Sequence, residues 1–172
     1  MTEKSLPADP PAGFEDALGA FASGVTLVTI ADGRDDIGVT VSAFCPVSTV
    51  PPLILIALID GSYAAELLGR LDRFAVTVLA SGQRMLAGRF AASGRPGARL
   101  MLDDVPHSRG AVSGALIPDE GLAAMECQVV SRMPAGDHLL VIAHVVFVPR
   151  ISESGAPLVR FRRRYQGLAA SG

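Results

Sequence analysis

The chain has no tryptophan, two tyrosines, two cysteines and three histidines among 172 residues, and only 19% of its positions carry charge. Each shortage excludes something. With aromatics scarce, a core must be filled by Leu, Val, Ile and Ala. Cys45 and Cys127 lie far apart, each inside an apolar strand pattern and without Cys-x-x-Cys or Cys/His spacing. No zinc site is indicated, and both are expected to be small buried hydrophobes. A formal net charge of −2 provides no general field for nucleic acid. The longest apolar runs, residues 53–59 and 139–148, are of strand length, and His144 interrupts the second, so no membrane span is expected. The opening MTEKSLPADPPAG lacks the apolar centre of a signal peptide, which predicts a cytoplasmic protein. No Gly-x-Gly-x-x-Gly opens a helix after a strand, which disfavours a Rossmann fold. Nucleophile–base pairs, metal-ligand clusters and paired carboxylates are also missing. A chain so equipped suits a reaction carried by a bound cofactor, which asks the protein only for binding, orientation and electrostatics.

What is present is apolar: 49% of the residues, with no membrane segment to account for them. Burial between subunits is the natural outlet, and a homodimer is expected. The length suits one domain, read as residues 13–170, after a polar, Pro-rich and disordered arm over residues 1–12. Phe14, Leu18 and Phe21 recur at helical spacing and predict an amphipathic helix over 14–22. Strand patterns follow at 25–30, 37–44 and 53–59, with a turn around Asp32-Gly33. A helix capped by Ser62 covers 62–71. Residues 73–79 read as a strand with Phe74, Val76 and Val78 alternating against Ala75 and Thr77. A second helix covers 82–92, its stripe formed by Met85, Leu86, Arg89 and Phe90. Residues 93–121, rich in Gly, Pro and charge, read as a long loop of the lid or binding kind. Strands at 122–132 and 137–150, joined through residues 133–136, and a last strand at 157–161 complete the pattern. Many strands, two short helices and no βαβ alternation predict a mainly β fold, a closed antiparallel barrel with peripheral helices.

Three places offer ligand contacts. At Gly38-Val39-Thr40-Val41-Ser42-Ala43-Phe44, alternation sends Thr40, Ser42 and Phe44 to one face, and small side chains let a flat anionic ligand approach backbone and hydroxyls. At Ser81-Gly82-Gln83 a helix start offers free N–H groups to a phosphate, or Ser81 simply caps the helix. At Gly136-Asp137-His138 a turn delivers a histidine to the start of a strand. Arg160, Arg162, Arg163 and Arg164 form the one basic cluster, a solvated strand end or a holder of phosphate. Arg95 and Arg99 in the loop are further cations within a phosphate's chemistry.

Ordered segments run almost the length of the chain: Phe21-Ala22-Ser23-Gly24-Val25-Thr26, the stretch from Gly38 to Phe44, Val47-Ser48 before Pro51-Pro52-Leu53, residues 74–79, and Gln83 with Leu86-Ala87 and Phe90-Ala91. Leu122-Ala123 with Glu126-Cys127, Gly136-Asp137-His138, and Pro157-Leu158 with Tyr165 and Leu168 continue the series. The set resembles the flavin reductase-like family, the short-chain reductases that feed two-component flavin monooxygenases. The resemblance implies an FMN-binding split β-barrel of antiparallel, Greek-key type, a homodimer with flavin near the subunit interface, and hydride transfer from NADH or NADPH to FMN, with FAD as the other flavin. Reduced flavin would then pass to a partner monooxygenase. Carried over residue by residue, Thr40, Val41, Ser42 and Ala43 would lie along the isoalloxazine and ribityl chain. Ser62, Ser81 and Gln83 would hold the polar tail, with Ser48 and Phe90 also among the cofactor-binding residues. His138 would stand near the nicotinamide or flavin edge as the catalytic candidate, and Tyr165 with the basic end would close the site. The chain departs from the family pattern at Ala43, where a second Ser is common, at Thr77 for Asn, at Gly82 for an acidic residue, and at Ala64-Ala65 after Tyr63. FMN against FAD stays open on these grounds. So do two other readings: a flavoprotein that retains its flavin and reduces another acceptor, and a flavin-binding protein without turnover.

Overall fold

The structure, a computed structural model, describes residues 9–168. Residues 1–8 of the expected arm and 169–170 of the expected domain lie outside the described residues. The chain begins with α1 (Phe14–Gly19), followed by β1 (Ser23–Gly24), β2 (Thr26–Ile30), β3 (Ile37–Val41), β4 (Phe44–Thr49) and β5 (Pro52–Ile59). Helix α2 (Tyr63–Arg70), β6 (Arg73–Val78), a 3-10 turn at Ser81–Gln83, α3 (Arg84–Ala91) and α4 (Ala98–Met101) come next. Then come β7 (His107–Arg109), β8 (Leu116–Pro118), β9 (Ala123–Ala135), β10 (His138–Ile151), β11 (Leu158–Phe161) and β12 (Arg164–Gly167). Seven strands make one antiparallel sheet in the order β3-β2-β6-β9-β10-β5-β4, and β1-β11-β12 make a smaller one.

Strands β3 and β4 are the opposite edges of the large sheet, yet only Ser42 and Ala43 separate them along the chain. The two edges must therefore meet at that corner, where the Ala57 N–H donates to the Ala43 carbonyl at 3.0 Å. The sheet rolls into a barrel around an interior of Val28, Ile30, Ile54, Ile56, Phe74, Val76 and Val141. Two consecutive small residues allow the sharp change of direction. The expected single strand over 37–44 is accordingly broken, and β4 is a strand the sequence pattern did not suggest.

Helix α2 closes one end of the barrel with Ala64, Ala65, Leu67 and Leu68, and Ser62 caps it by accepting the Ala65 N–H at 3.2 Å. Full burial of Leu67 and Leu68 is worth about 1.5–3 kcal/mol each. Outside β2 and β6, a second cluster joins Leu27 and Leu79 to Leu86, Ala87 and Phe90 of α3, and to Leu102 and Leu158. Both faces of these two strands are covered, so Phe74 to Thr77 are all buried, yet the alternation holds: Phe74 and Val76 belong to the interior, and Ala75 packs in a separate cluster with Ala115, Ile117 and Ala124. On α3, Met85 points to solvent, and the buried stripe is Leu86, Ala87 and Phe90. Helix α1 is shorter than the predicted 14–22, and Phe14, Leu18 and Phe21 are exposed rather than packed.

Residues 93–121 are not a free lid. The carboxylate of Asp36, 1% exposed, accepts from Arg99 Nε at 3.0 Å and Arg109 Nη2 at 2.8 Å. Buried Glu126 accepts the Val112 N–H at 2.9 Å and the Ser113 hydroxyl at 2.6 Å. These contacts fasten α4 and the β7–β8 hairpin to the barrel. Strands β9 and β10 extend to a two-residue turn at Gly136-Asp137, with Gly136 at φ 61°, so Met133 and Pro134 belong to the strand rather than to a linker. The basic end forms a further hairpin: β11 and β12 meet through Arg162-Arg163, at φ 47° and 63°. Non-glycine residues in that region cost about 1–3 kcal/mol each. Cys127 is buried, and desolvation first, then the Glu126 charge, pushes its thiol up to about 12. Cys45, expected to be buried, is exposed on an edge strand.

Gly38 lies on β3 beneath Phe90, whose ring a Cβ at that position would overlap. Gly38→Ala is expected to lower unfolding stability by roughly 1–3 kcal/mol through overpacking, read as a shifted urea midpoint with unchanged slope.

Candidate active site

A cavity of about 650 Å³ opens where the sheet corner cannot be filled by side chains. Its floor is Val39 to Ala43, the end of β3 and the corner itself. One wall is the end of β5 with Ser62 at the start of α2, and another is the end of α3 with Phe90, Ala91 and Arg95. His138 and the hairpin residues Arg160, Arg163 and Tyr165 complete the lining. The volume falls within the ordinary range for small-molecule sites.

Of the residues singled out in the sequence, Thr40, Val41, Ser42, Ala43, Ser62, Phe90, His138 and Tyr165 gather here. Ser48, Ser81 and Gln83 do not. Ser48 stands on β4 opposite Leu53. Ser81 is not the helix cap: that position is Ala80, whose N–H donates to Gln83 Oε1 at 3.0 Å, while the Ser81 N–H donates to the Ala156 carbonyl at 2.8 Å. The N–H groups expected to greet a phosphate are thus partly spent on the fold, and Gln83, 6% exposed, acts as a structural cap.

The hydroxyls are also partly committed. Thr40 donates to the Ala87 carbonyl at 2.7 Å, tying α3 to β3, and so offers a ligand only its lone pairs. Ser42 Oγ accepts from Arg160 Nη1 at 3.3 Å. The corner breaks the expected alternation of Thr40, Ser42 and Phe44, because the chain does not continue as one strand past Val41.

Arg95 is the cavity's most informative cation. Its Nε donates to the Gly38 carbonyl at 2.8 Å and its Nη1 to the Ala92 carbonyl at 3.0 Å. Partial burial lowers its pKa, and no carboxylate pairs with it among the described residues. A guanidinium does not lose its proton under ordinary conditions, so a half-buried one without a counter-ion favours an anionic ligand. Arg99, its neighbour in the sequence reading, is instead occupied by Asp36. His107 is exposed and directed at its own backbone, with Nδ1 2.8 Å from the Val105 carbonyl.

His138 opens β10 opposite Ile59 of β5. Its Nδ1 lies 2.7 Å from Asp137 Oδ1, and since a carboxylate only accepts, Nδ1 carries the proton and Nε2 remains for another partner. Sequence reasoning underrated Arg95 and Arg160 and missed Asp60 and the β5 end. Their only signal was proximity to predicted element ends, because pairing across the sheet is what brings them to the cavity.

Known proteins share this fold. The flavin reductase like domain matches residues 18–169. The reductase component of 4-hydroxyphenylacetate 3-monooxygenase from Thermus thermophilus is 36% identical over 155 residues, covering 90% of this chain and 95% of that protein. The NADH-dependent FMN reductase AsuE2 from Streptomyces nodosus subsp. asukaensis is 34% identical, covering 90% of this chain and 83% of that protein. Among solved structures, BorF, the flavin reductase component of a bacterial two-component tryptophan halogenase, superposes with a TM-score of 0.85 at 29% identity, covering 92% of this chain and 98% of that one.

The Asp137 carboxyl is held below its ordinary value of 3.8, first by the His138 hydrogen bond and then by His138 charge. The sign follows: the pair contributes stability above the unfolded carboxyl value and loses it as pH falls through the lower folded value. In His138→Ala the Asp137 titration midpoint, followed by carboxyl carbon NMR, is expected to move upward.

Proposed function

Because this chain belongs to the flavin reductase-like family, we propose that it transfers hydride from NADH or NADPH to a flavin, FMN or alternatively FAD, and hands the reduced flavin to a separate monooxygenase. The observation that carries this reading is the cavity at the sheet corner: small residues on its floor, apolar walls, and the half-buried, unpaired Arg95. That donor set fits a flat, tricyclic, anionic group. When bound, the flavin supplies the ring that accepts the hydride.

The chain's residues then bind and orient. In this reading Val39 to Ala43 let the ring approach the backbone, with Thr40 accepting rather than donating. Ser62 and Arg95 face the polar tail. The set leaves out Ser48, Ser81 and Gln83. His138, steadied by Asp137, presents Nε2 to the nicotinamide or flavin edge as a positioning hydrogen-bond partner, and Tyr165 with Arg160 and Arg163 borders the opening. The same reading puts the reaction in the cytoplasm, where reduced nicotinamides are regenerated. Among the described residues no helix is long and apolar enough to cross a membrane.

The active form in this proposal is a homodimer on a split barrel. Support comes from large apolar side chains left in solvent on α1 and on the distal half of β10, including Phe14, Leu18, Phe147 and Ile151. Light scattering coupled to size exclusion is expected to give twice the 17.8 kDa chain mass, and a monomer at micromolar concentration would reject it.

Steady-state oxidation of NADH and NADPH, with and without added FMN, FAD or riboflavin, tests the activity. Oxidation is expected to rise and saturate with added flavin, and His138→Ala is expected to lower kcat/KM roughly 10–100-fold by loss of positioning. Turnover without added flavin would favour a protein that keeps its flavin. Tight flavin binding with no oxidation would mark a binding protein instead.

A further inference from the structure

The floor of the main cavity, Val39 to Ala43, carries two hydroxyl groups, those of Thr40 and Ser42. They are committed in opposite senses. Thr40 spends its proton on the Ala87 carbonyl at 2.7 Å, so only lone pairs remain for a ligand. Ser42 Oγ stands 3.3 Å from Arg160 Nη1. A guanidinium has no lone pair to offer and can only donate, so Ser42 is the acceptor and its own proton turns elsewhere. Among the described residues the Ser42 hydroxyl makes no other hydrogen bond. The floor therefore presents one acceptor, at Thr40, and one uncommitted O–H donor, at Ser42.

Arg160 is well placed to keep it so. It lies on β11, the central strand of the small sheet, opposite Ser23 of β1 on one side and Tyr165 of β12 on the other. Tyr165 in turn packs on the cluster that contains Leu86 and Phe90 of α3. No carboxylate pairs with Arg160 among the described residues, whereas Arg163 beside it in the cavity lining is taken by Glu15. The Arg160–Ser42 contact is longer than the ~2.7–2.9 Å of a well-formed charge-assisted bond. A hydroxyl that donates onward becomes a better acceptor, because chained hydrogen bonds polarise one another, so a ligand held by Ser42 is expected to draw the guanidinium in.

We propose that Arg160 is a positioning residue of this site: by donating to Ser42 Oγ it fixes that hydroxyl as a donor to an acceptor atom on the edge of the bound flavin ring. That edge sets carbonyl oxygens and a ring nitrogen, all acceptors, beside a single N–H donor. Ser42 answers the acceptors and Thr40 answers the donor. Without the guanidinium, the Ser42 hydroxyl is free to rotate and offers the ring no preset partner, so ordering it costs binding energy. The identity of the ring rests on the reductase reading; the polarity of Ser42 rests on the geometry around Arg160.

Binding of riboflavin and of FMN to the purified full chain, followed by flavin fluorescence and by the position of the visible absorption band, tests this without turnover. Riboflavin carries no phosphate, so it reports on the ring alone. Arg160→Met is expected to weaken riboflavin binding roughly 2–10-fold, the worth of one hydrogen bond, and Ser42→Ala to do the same. The double variant is expected to bind no worse than Ser42→Ala, because the two residues act through one contact. Arg160→Met should also move the bound absorption band to its position in Ser42→Ala, and Arg160→Lys, which keeps a donor, should restore both affinity and band. A penalty seen with FMN and absent with riboflavin makes Arg160 a phosphate contact and overturns the proposal. So does an equal Arg160→Met penalty in the Ser42→Ala background, or an unchanged affinity and band. A wild type that shows the expected coupling but oxidises neither NADH nor NADPH sinks the reductase reading and leaves the role of Arg160 standing. Should Arg160→Met fail to fold by circular dichroism, Ser42→Ala decides: unchanged riboflavin affinity and absorption overturn the proposal.

Discussion

Two residues, Ser42 and Ala43, carry the chain from one edge of a seven-stranded sheet to the other, and the rest of the molecule depends on that short connection. A sheet whose edges are tied together at one corner has to roll. Rolling buries one face around Ile56, Phe74 and Val141, and leaves the outer face of β2 to be covered by α3 and that of β6 by Ala115 and Ile117. At the corner itself nothing large fits, because the two strands diverge from it. The unfilled space becomes the main cavity, floored by backbone and small side chains. Function here begins as a packing problem that the barrel does not solve internally.

Charge is distributed by the same logic. Burying Asp36 at 1% exposure costs several kcal/mol of desolvation unless several donors compensate, and Arg99 and Arg109 supply them. Glu126 is met instead by backbone and hydroxyl donors from residues 112 and 113. Arg132 turns to Asp72 and Arg150 to Asp119. The carboxylates that hold the fold thereby consume most of the arginines near them. Arg95, by contrast, is held only by carbonyls, and it lines the main cavity together with Arg160 and Arg163. A chain of net charge −2 thus presents a locally positive site.

Such a site supplies binding and orientation, and the chemistry comes from what it binds. That division explains why the chain can lack a nucleophile, a metal cluster and a carboxylate pair and still suit hydride transfer. It also accords with the positioning role proposed for His138, a ring fixed through Nδ1 by its neighbour Asp137 with one nitrogen to spare. Residues 93–121 are clamped by Asp36 and Glu126, and Arg95 is held within them by the Gly38 and Ala92 carbonyls.

The mainly β character, the helix capped by Ser62, the long β9–β10 pair and part of the cavity lining were legible in the sequence, because hydrophobic period, cap chemistry and turn glycines act over a few residues. The family resemblance located Thr40 to Ala43 and His138 by order along the chain. Errors fell where a distant segment decides. Residues 37–44 pattern as one strand, and only the closure of the sheet breaks them at Ser42. Ser81 reads as a cap until Gln83 and Ala156 claim the backbone around it. Phe14, Leu18 and Phe21 have a helical period but stay exposed among the described residues, and Cys45 lies in an apolar pattern on an exposed edge. Local chemistry along the chain determined which elements form and which residue types are at hand. The tertiary structure alone decided which arginines are spent on buried carboxylates and which remain for a ligand, because pairing of charges depends on proximity across the sheet, and no spacing in the sequence encodes that.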